Sequence, residues 1–259
     1  MVTWDDQRAD WAAYDLVVIR SPWDYPARRD EFVAWAARVP RLLNPADIIA
    51  WNTDKHYLRE LAAAGIPVTP TDFIEPPPAS GSGWSVPESG EWVVKPAISA
   101  GSRDTQRYAR SQEFAASNHI ARLLEQARSV MLQPYLASVD SNGETALVYF
   151  DGQFSHAIRK GPLLRPDEGA TEALFAAEAV SARVPGDDER AVASAVLGAM
   201  ARLLGLSGPL PYARVDLILD AAGKPCLLEL ELTEPSLFFS HAPGSADDFA
   251  NRLAKRLAA

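Results

Sequence analysis

Apolar residues first alternate between short strand-type runs and helical spacings, then give way to paired strand-type runs. Leu16–Ile19 is a buried-type run that stops at Ser21-Pro22. Phe32, Val33, Ala36 and Val39 repeat at helical spacing, and Pro40 ends the repeat. A loop with Leu43-Asn44-Pro45 leads to a second helix. Asn52 or Thr53 can cap it, Tyr57, Leu58, Leu61 and Ala62 form its apolar face, and Gly65 ends it. Residues 76–90, rich in Pro, Ser and Gly, predict a surface loop. A strand over 91–99 follows, then a helix over about 111–127 carrying Phe114, Ile120, Leu123 and Leu124, and a strand in "VMLQPYLAS".

Asp151-Gly152 between two alternating runs predicts a hairpin, and "YARVDLILDAAGKPCLLELEL" predicts another. Residues 161–190 lack periodicity and are expected to be mobile. Val192, Val196, Met200 and Leu203 mark a helix that Gly205 ends, and Phe249, Leu253 and Leu257 mark a closing one. Strand–helix alternation followed by hairpins predicts a mixed α/β or α+β architecture, without internal repeats.

Composition narrows the function more than the fold. The 259 residues carry 34 acidic against 25 basic side chains, a net charge of −9. Nucleic acid or an anionic membrane as main partner would call for the opposite balance. One cysteine, Cys226, leaves no intramolecular disulfide or cysteine metal site, which fits a reducing cytosol. There is no 18-residue apolar run and no signal-peptide pattern at the start, so a cytoplasmic protein is expected.

The most informative stretch is "LLELELTEPSLFF" (227–239), which sets acids into a leucine run. Residues two apart on a strand share a face, so Glu229 and Glu231 point the same way. A four-residue turn at 221–224 would pair Asp220 with Pro225, Asp216 with Glu229 and Arg214 with Glu231. Like charges directly opposite destabilise a hairpin, and a divalent cation held by hard oxygen ligands removes that penalty. On this view, neutralising one acid would relieve the crowding and leave the fold intact. A solvated, charge-striped sheet face gives the same pattern. Magnesium on a few carboxylates usually bridges to phosphates, so basic partners are expected elsewhere. Lys95 ends the apolar strand "WVVKP", the small-residue loop "ISAGS" follows it, and Lys55 opens a helix. Neither GxxxxGK[ST] nor GxGxxG occurs, and no HExxH is present among four scattered histidines.

The order of these pieces resembles the ATP-grasp superfamily over nearly the whole chain: a helix lysine, a strand lysine with a small-residue loop, "LQPYL", "RVD" and "LELEL". The resemblance implies an α+β fold in which two α+β subdomains, about 68–136 and 137–259, hold ATP between them. A shortened N-terminal α/β unit over 1–50 would precede an ATP-grasp domain over 51–259. It implies that Lys55 and Lys95 contact nucleotide and that Ser99, Ala100 and Gly101 cover the phosphates. Gln133, Pro134, Tyr135 and Leu136 would be the adenine hinge. Arg214 would steady the transferring phosphoryl group, and Asp216, Glu229 and Glu231 would hold Mg²⁺ or Mn²⁺.

Within the superfamily, "RSPWDY" (20–25), "LNPADIIAWNTDK" (43–55), "VVKPAISAGSRDT" (93–105), "RKGPLL" (159–164) and "LELELTEPSLFF" are similar to the D-cycloserine ligase group. That likeness implies ATP-driven activation of a carboxylate as an acyl phosphate, then attack by an amine-type nitrogen, with ring closure in one amino-acid-like substrate. Arg159 and Lys160 would hold the carboxylate or γ-phosphate. Arg20, Trp23 and Asp24 would face the substrate amine end. A ligase joining two amino acids or peptides, or a nucleotide-binding protein without turnover, would use the same pieces. A homodimer is left open.

Overall fold

A computed structural model describes residues 1–76, 90–165 and 179–258. Most of the expected surface loop at 76–90 and of the segment 161–190 lies outside the described residues. The described ends of the second segment carry regular structure: Gly161 donates to Ala179, and a strand and a helix begin before residue 190.

The N-terminal unit pairs two short parallel strands, β1 (Val17–Val18) and β2 (Leu42–Leu43), on either side of α1 (Arg29–Ala36). Its core is aromatic: Trp4, Tyr25, Phe32 and Trp35 pack edge-on and stacked, with Val17, Ile19 and Leu42. Sequence expectation and structure part next. "ADIIAWN" forms a helix of its own, α2 (Ala46–Asn52), started by the preset backbone of Pro45. Asn52 ends that helix rather than capping the next. The following helix, α3 (Tyr57–Ala63), is entered through Asp54, whose Oδ1 accepts from the His56 N–H.

Two antiparallel sheets follow. The smaller has the order β3-β6-β4-β5, from β3 (Asp72–Ile74), β4 (Trp92–Pro96), β5 (Gln106–Tyr108) and β6 (Val130–Pro134). One face packs on α4 (Glu113–Glu125) through Trp92, Val94, Ile120, Leu123 and Leu132. Phe114, expected on the apolar face of that helix, is 80% exposed. After α5 (Ser138–Asn142) comes the larger sheet, with the order β11-β10-β7-β8-β9. Its strands are β7 (Glu144–Phe150), β8 (Gln153–Lys160), β9 (Val180–Arg183), β10 (Tyr212–Leu219) and β11 (Pro225–Glu231). Helix α6 (Asp187–Leu203) precedes β10 and α7 (Ser245–Leu257) closes the chain.

Alternation along β10 gives each face of the larger sheet its role. Ala213, Val215 and Leu217 point into the main core with α3 and α6. On the opposite face Tyr212 packs under α7 with Phe150 and Phe249. Next to it on that face, Arg214 and Asp216 face the space between the two sheets. The expected α+β architecture of two sheet-based halves around a cleft is what the chain forms.

Candidate active site

The cleft between the sheets has a volume of about 410 Å³. Alternation also explains the smaller sheet's share of it: Trp92 and Val94 are core, while Val93 and Lys95 line the cleft. The hinge residues Gln133, Pro134, Tyr135 and Leu136 border one end, where β4 pairs with β6. The Gln133 amide donates to Thr71, and Arg107 lies 3.5 Å over the Tyr135 ring. Ser99, Ala100 and Gly101 line the cleft as expected. Gly101, Ser102 and Asp104 all have left-handed backbones, with φ of 64°, 60° and 56°. Asp104 fixes the far end of this loop through Arg122 and Arg128, and Ala100 packs against the N-terminal unit.

The catalytic face of the larger sheet is a closed charge network. Lys55 Nζ donates to the Ser99 carbonyl at 2.9 Å and lies 3.1 Å from Glu229. Lys160 bridges Glu144 at 2.9 Å and Asp216 at 2.7 Å. Arg214 grips Asp216 with Nε and Nη2 at 2.8 and 2.9 Å, and also meets Glu231. Its remaining nitrogen donates to the Ser236 carbonyl at 3.0 Å. The predicted register holds for both acidic pairs, Arg214 opposite Glu231 and Asp216 opposite Glu229.

It holds for a different reason than a four-residue turn. The turn takes five residues, so Leu219 pairs with Pro225, and an extra residue near Leu228 restores the register before Glu229. The bulge also re-aims side chains, as bulges beside active sites do. Leu227 and Leu230, three apart, both enter the core. Leu228 turns into the cleft beside Tyr135 and Leu136. It gives the hinge end an apolar wall.

Two expectations need correction. Like-charge crowding across this hairpin is relieved by Arg214, Lys160 and Lys55, without calling on a cation. Among the described residues no three His, Cys, Asp or Glu side chains are grouped as a ready metal site. Asp216 is 1% exposed with both oxygens engaged, so it holds the two basic residues rather than presenting an open ligand. Glu229 and Glu231, at 29% and 23%, remain open to the cleft. The second correction is Arg159. It turns to the opposite face from Lys160 and donates to the Ser141 and Asn142 carbonyls, tying α5 to the sheet. A two-residue turn at Asp151-Gly152 would set Glu144 opposite Arg159. A register shift near Val148 sets it opposite Lys160 instead.

Burial sets the ionisation of these groups, and their neighbours then correct it. Burial pushes the Lys95 ammonium down to about 8, with Lys55 and Lys160 acting the same way against Glu229. Burial would raise Asp216, but Arg214 and Lys160 hold it down at about 2. It would raise Glu229 too, and Lys55 and Lys95 prevail and lower it. Burial lifts Glu231 to about 8 despite Arg214, with Asp216 and Glu229 adding to the rise.

Strand β11 lies at the sheet edge, and side chains close that edge. Asn52 donates to the Leu230 carbonyl at 2.7 Å and accepts from the Leu232 N–H at 2.7 Å. The Tyr57 hydroxyl both donates to and accepts from Leu230 at 3.0 Å. Asn44, fully buried, donates to Tyr212 and Leu232. Leu227 exchanges backbone bonds with Pro67 and Thr69. The stretch "LNPADIIAWNTDK" therefore acts by holding the acidic strand in place. Glu144, Leu228 and these edge clamps were not assigned from the sequence. Their roles depend on the two bulges and on contacts more than 170 residues apart in the case of Asn52.

A sheet-lined cleft with two lysines from one side, an arginine and acids from the other, and a backbone hinge defines an ATP-grasp ligase. The family model for the N-terminal domain of D-cycloserine synthetase DcsG matches residues 1–44. Cycloserine biosynthesis protein DcsG of Streptomyces lavendulae is 45% identical over 98% of this chain and 87% of its own length. A crystal structure of D-cycloserine synthetase DcsG superposes with a TM-score of 0.88 at 43% identity, covering 98% of this chain and 88% of that one. The chain belongs to the DcsG family of ATP-grasp ligases. At 22% identity, the ATP-grasp ligase PsnB shares the fold, with a TM-score of 0.59 over 92% of this chain and 79% of its own.

Proposed function

We propose that the protein uses ATP to activate the carboxylate of a small amino-acid derivative and closes a ring onto it with an amine-type nitrogen of the same molecule. The observation that carries this reading is Lys95. It is 8% exposed, faces the cleft, and forms no ion pair among the described residues. A buried, unpaired ammonium is costly unless an anion joins it. Lys55, Lys160 and Arg214 line the same space, so the anion that fits is a polyphosphate. The crystal structure and the 45% relative named for D-cycloserine synthesis supply the ring-closing chemistry.

In the first step a carboxylate oxygen of the substrate attacks the γ-phosphorus and ADP leaves. In the second the nitrogen attacks the acyl carbon, loses its proton, and phosphate leaves. Arg214, held planar by Asp216, and Lys160 meet charge that grows on the transferring group. The donor set at the cleft fits a hard divalent ion such as Mg²⁺ or Mn²⁺: Glu229 and Glu231 share a face and stay accessible. When bound, such an ion would neutralise phosphate charge. PsnB, whose structure contains Mg and ADP, shares this fold.

The test is nucleotide release in the presence of small amino-acid analogues, O-ureidoserine included, with products separated by chromatography. ADP and phosphate should appear only with a competent substrate. AMP as the main product would overturn the acyl-phosphate mechanism.

A further inference from the structure

The acids of the cleft are paired with cations, with one exception. Glu144 meets Lys160, Glu229 meets Lys55, and Glu231 meets Arg214. Glu234 also lines the cleft but forms no ion pair among the described residues. Its surroundings are built, not open solvent. Tyr25, fully buried in the N-terminal unit, hydrogen-bonds to it, and Trp23 lines the same part of the cleft. The backbone that carries it is pinned on both sides. Arg20 donates to the Pro235 carbonyl at 3.4 Å, and Arg214 donates to the Ser236 carbonyl at 3.0 Å.

We propose that Glu234 is the subsite for a primary ammonium carried by the substrate next to the carboxylate being activated. The proposal rests on the ligase reading above and narrows its substrate class to α-amino acids. Lys95 is a buried cation without an anion, and Glu234 is a sheltered anion without a cation. The two ask for opposite ends of the reacting pair, a polyphosphate and an ammonium. Arg214 lies between the acids and Ser236, two residues beyond Glu234. A carboxylate held at Arg214 therefore places its α-substituent toward Glu234 and Trp23. Burial raises the Glu234 carboxyl to about 7, against the influence of Lys55 and Tyr25. An incoming ammonium would restore its charge, and Trp23 offers an aromatic face for the same group.

Calorimetry tests this with the non-hydrolysable analogue AMPPNP and Mg²⁺ present. The probes are O-ureidoserine and its analogue with hydrogen in place of the α-amino group. Wild-type protein should bind the amine-bearing compound at least about tenfold more tightly, the scale of one charge-assisted contact. Glu234→Gln should erase most of that preference while still binding AMPPNP. If Glu234→Gln does not fold, Tyr25→Phe serves in its place and should reduce the preference in part. Equal binding of both probes to wild type, no binding of either, or full preference in Glu234→Gln would each overturn the proposal. A base role for Glu234 would show as the last of these, with turnover lost and binding kept. Amine-dependent binding without ADP release would sink the ligase reading and leave this one standing.

Discussion

Asp216 decides what a single substitution in the site does. Its carboxylate is buried between Arg214 and Lys160, so Asp216→Asn would leave two buried cations without their anion. Breaking a buried ion pair from one side costs about 3–5 kcal/mol, far more than relief of any repulsion from Glu229. We expect Asp216→Asn to melt well below wild type and to lose turnover, measured by calorimetric unfolding and ADP release. Glu229→Gln should lose turnover with a much smaller stability change, because Glu229 is part-exposed and pairs with Lys55 alone. The identity of these residues was legible in the sequence, as was their shared face. Their partners were not. A strand pattern shows which side chains point together, but charge neutralisation depends on what the second sheet and the neighbouring strand bring across the cleft. Lys160 and Arg159 show the limit: they are adjacent in sequence, and one shift in register sends them to opposite faces.

Strand β11 shows how an element can be right in outline and still depend on distant chain. Both hairpins, the helices near 57, 113, 187 and 245, and the strands at 92 and 130 follow from periodicity. Helices α2 and α5 and strands β3 and β5 are too short to show a period, and they went unassigned. Yet α2 delivers Asn52, and α3 delivers Tyr57, to the edge of β11. Tyr57→Phe removes the only group that serves both polar atoms of Leu230 among the described residues. An unsatisfied buried backbone group costs about 1–3 kcal/mol. We expect Tyr57→Phe to lose stability on that scale and to loosen β11, seen as faster amide exchange at Leu230. Unchanged exchange there would show that the edge is held by Asn52 alone.

Across the whole molecule, His56 fastens the segment between α2 and α3 to the smaller sheet. Its ring lies 2.5 Å from Asp54 and 2.9 Å from Glu75, and it stacks on Phe73. Hydrogen bonds to Asp54 raise its pKa above the ordinary 6.5, against the effect of burial. Asp54 and Glu75 are lowered from 3.8 and 4.5 in spite of burial, by their bonds to His56 and, for Glu75, first to Ser129. A raised histidine pKa stabilises the fold fully below 6.5, and that contribution fades as pH rises through the folded value. Lowered carboxylate pKa values add stability that fades as pH falls through theirs. The clamp is therefore strongest between these limits. The stability difference between wild type and His56→Gln should be largest near pH 5.5 to 6.5 and shrink toward pH 9, as measured by thermal unfolding. A flat difference would show that stacking on Phe73, not charge, does the fastening.

No helix among the described residues is long and apolar enough to cross a membrane. The charge balance read from composition excluded polyanionic partners in the same spirit, but it could not show that the cations left over gather in one cleft.

The extra residue near Leu228 divides β11 into two halves that are out of phase. The outer half answers to phosphate and metal, through Glu229 and Glu231, and the inner half to the hinge end, through Leu228. A saturation-mutagenesis map of 225–232 should display that division as a broken beat. Columns tolerating only apolar residues should fall at 227, 230 and 232, with Leu228 accepting any side chain that still leaves room for a flat base. A regular beat at 228, 230 and 232 would mean that the strand runs in phase throughout. Because the two halves keep separate time, selection could retune the base end of the cleft by changing Leu228 and leave the acids of the reaction centre where they stand.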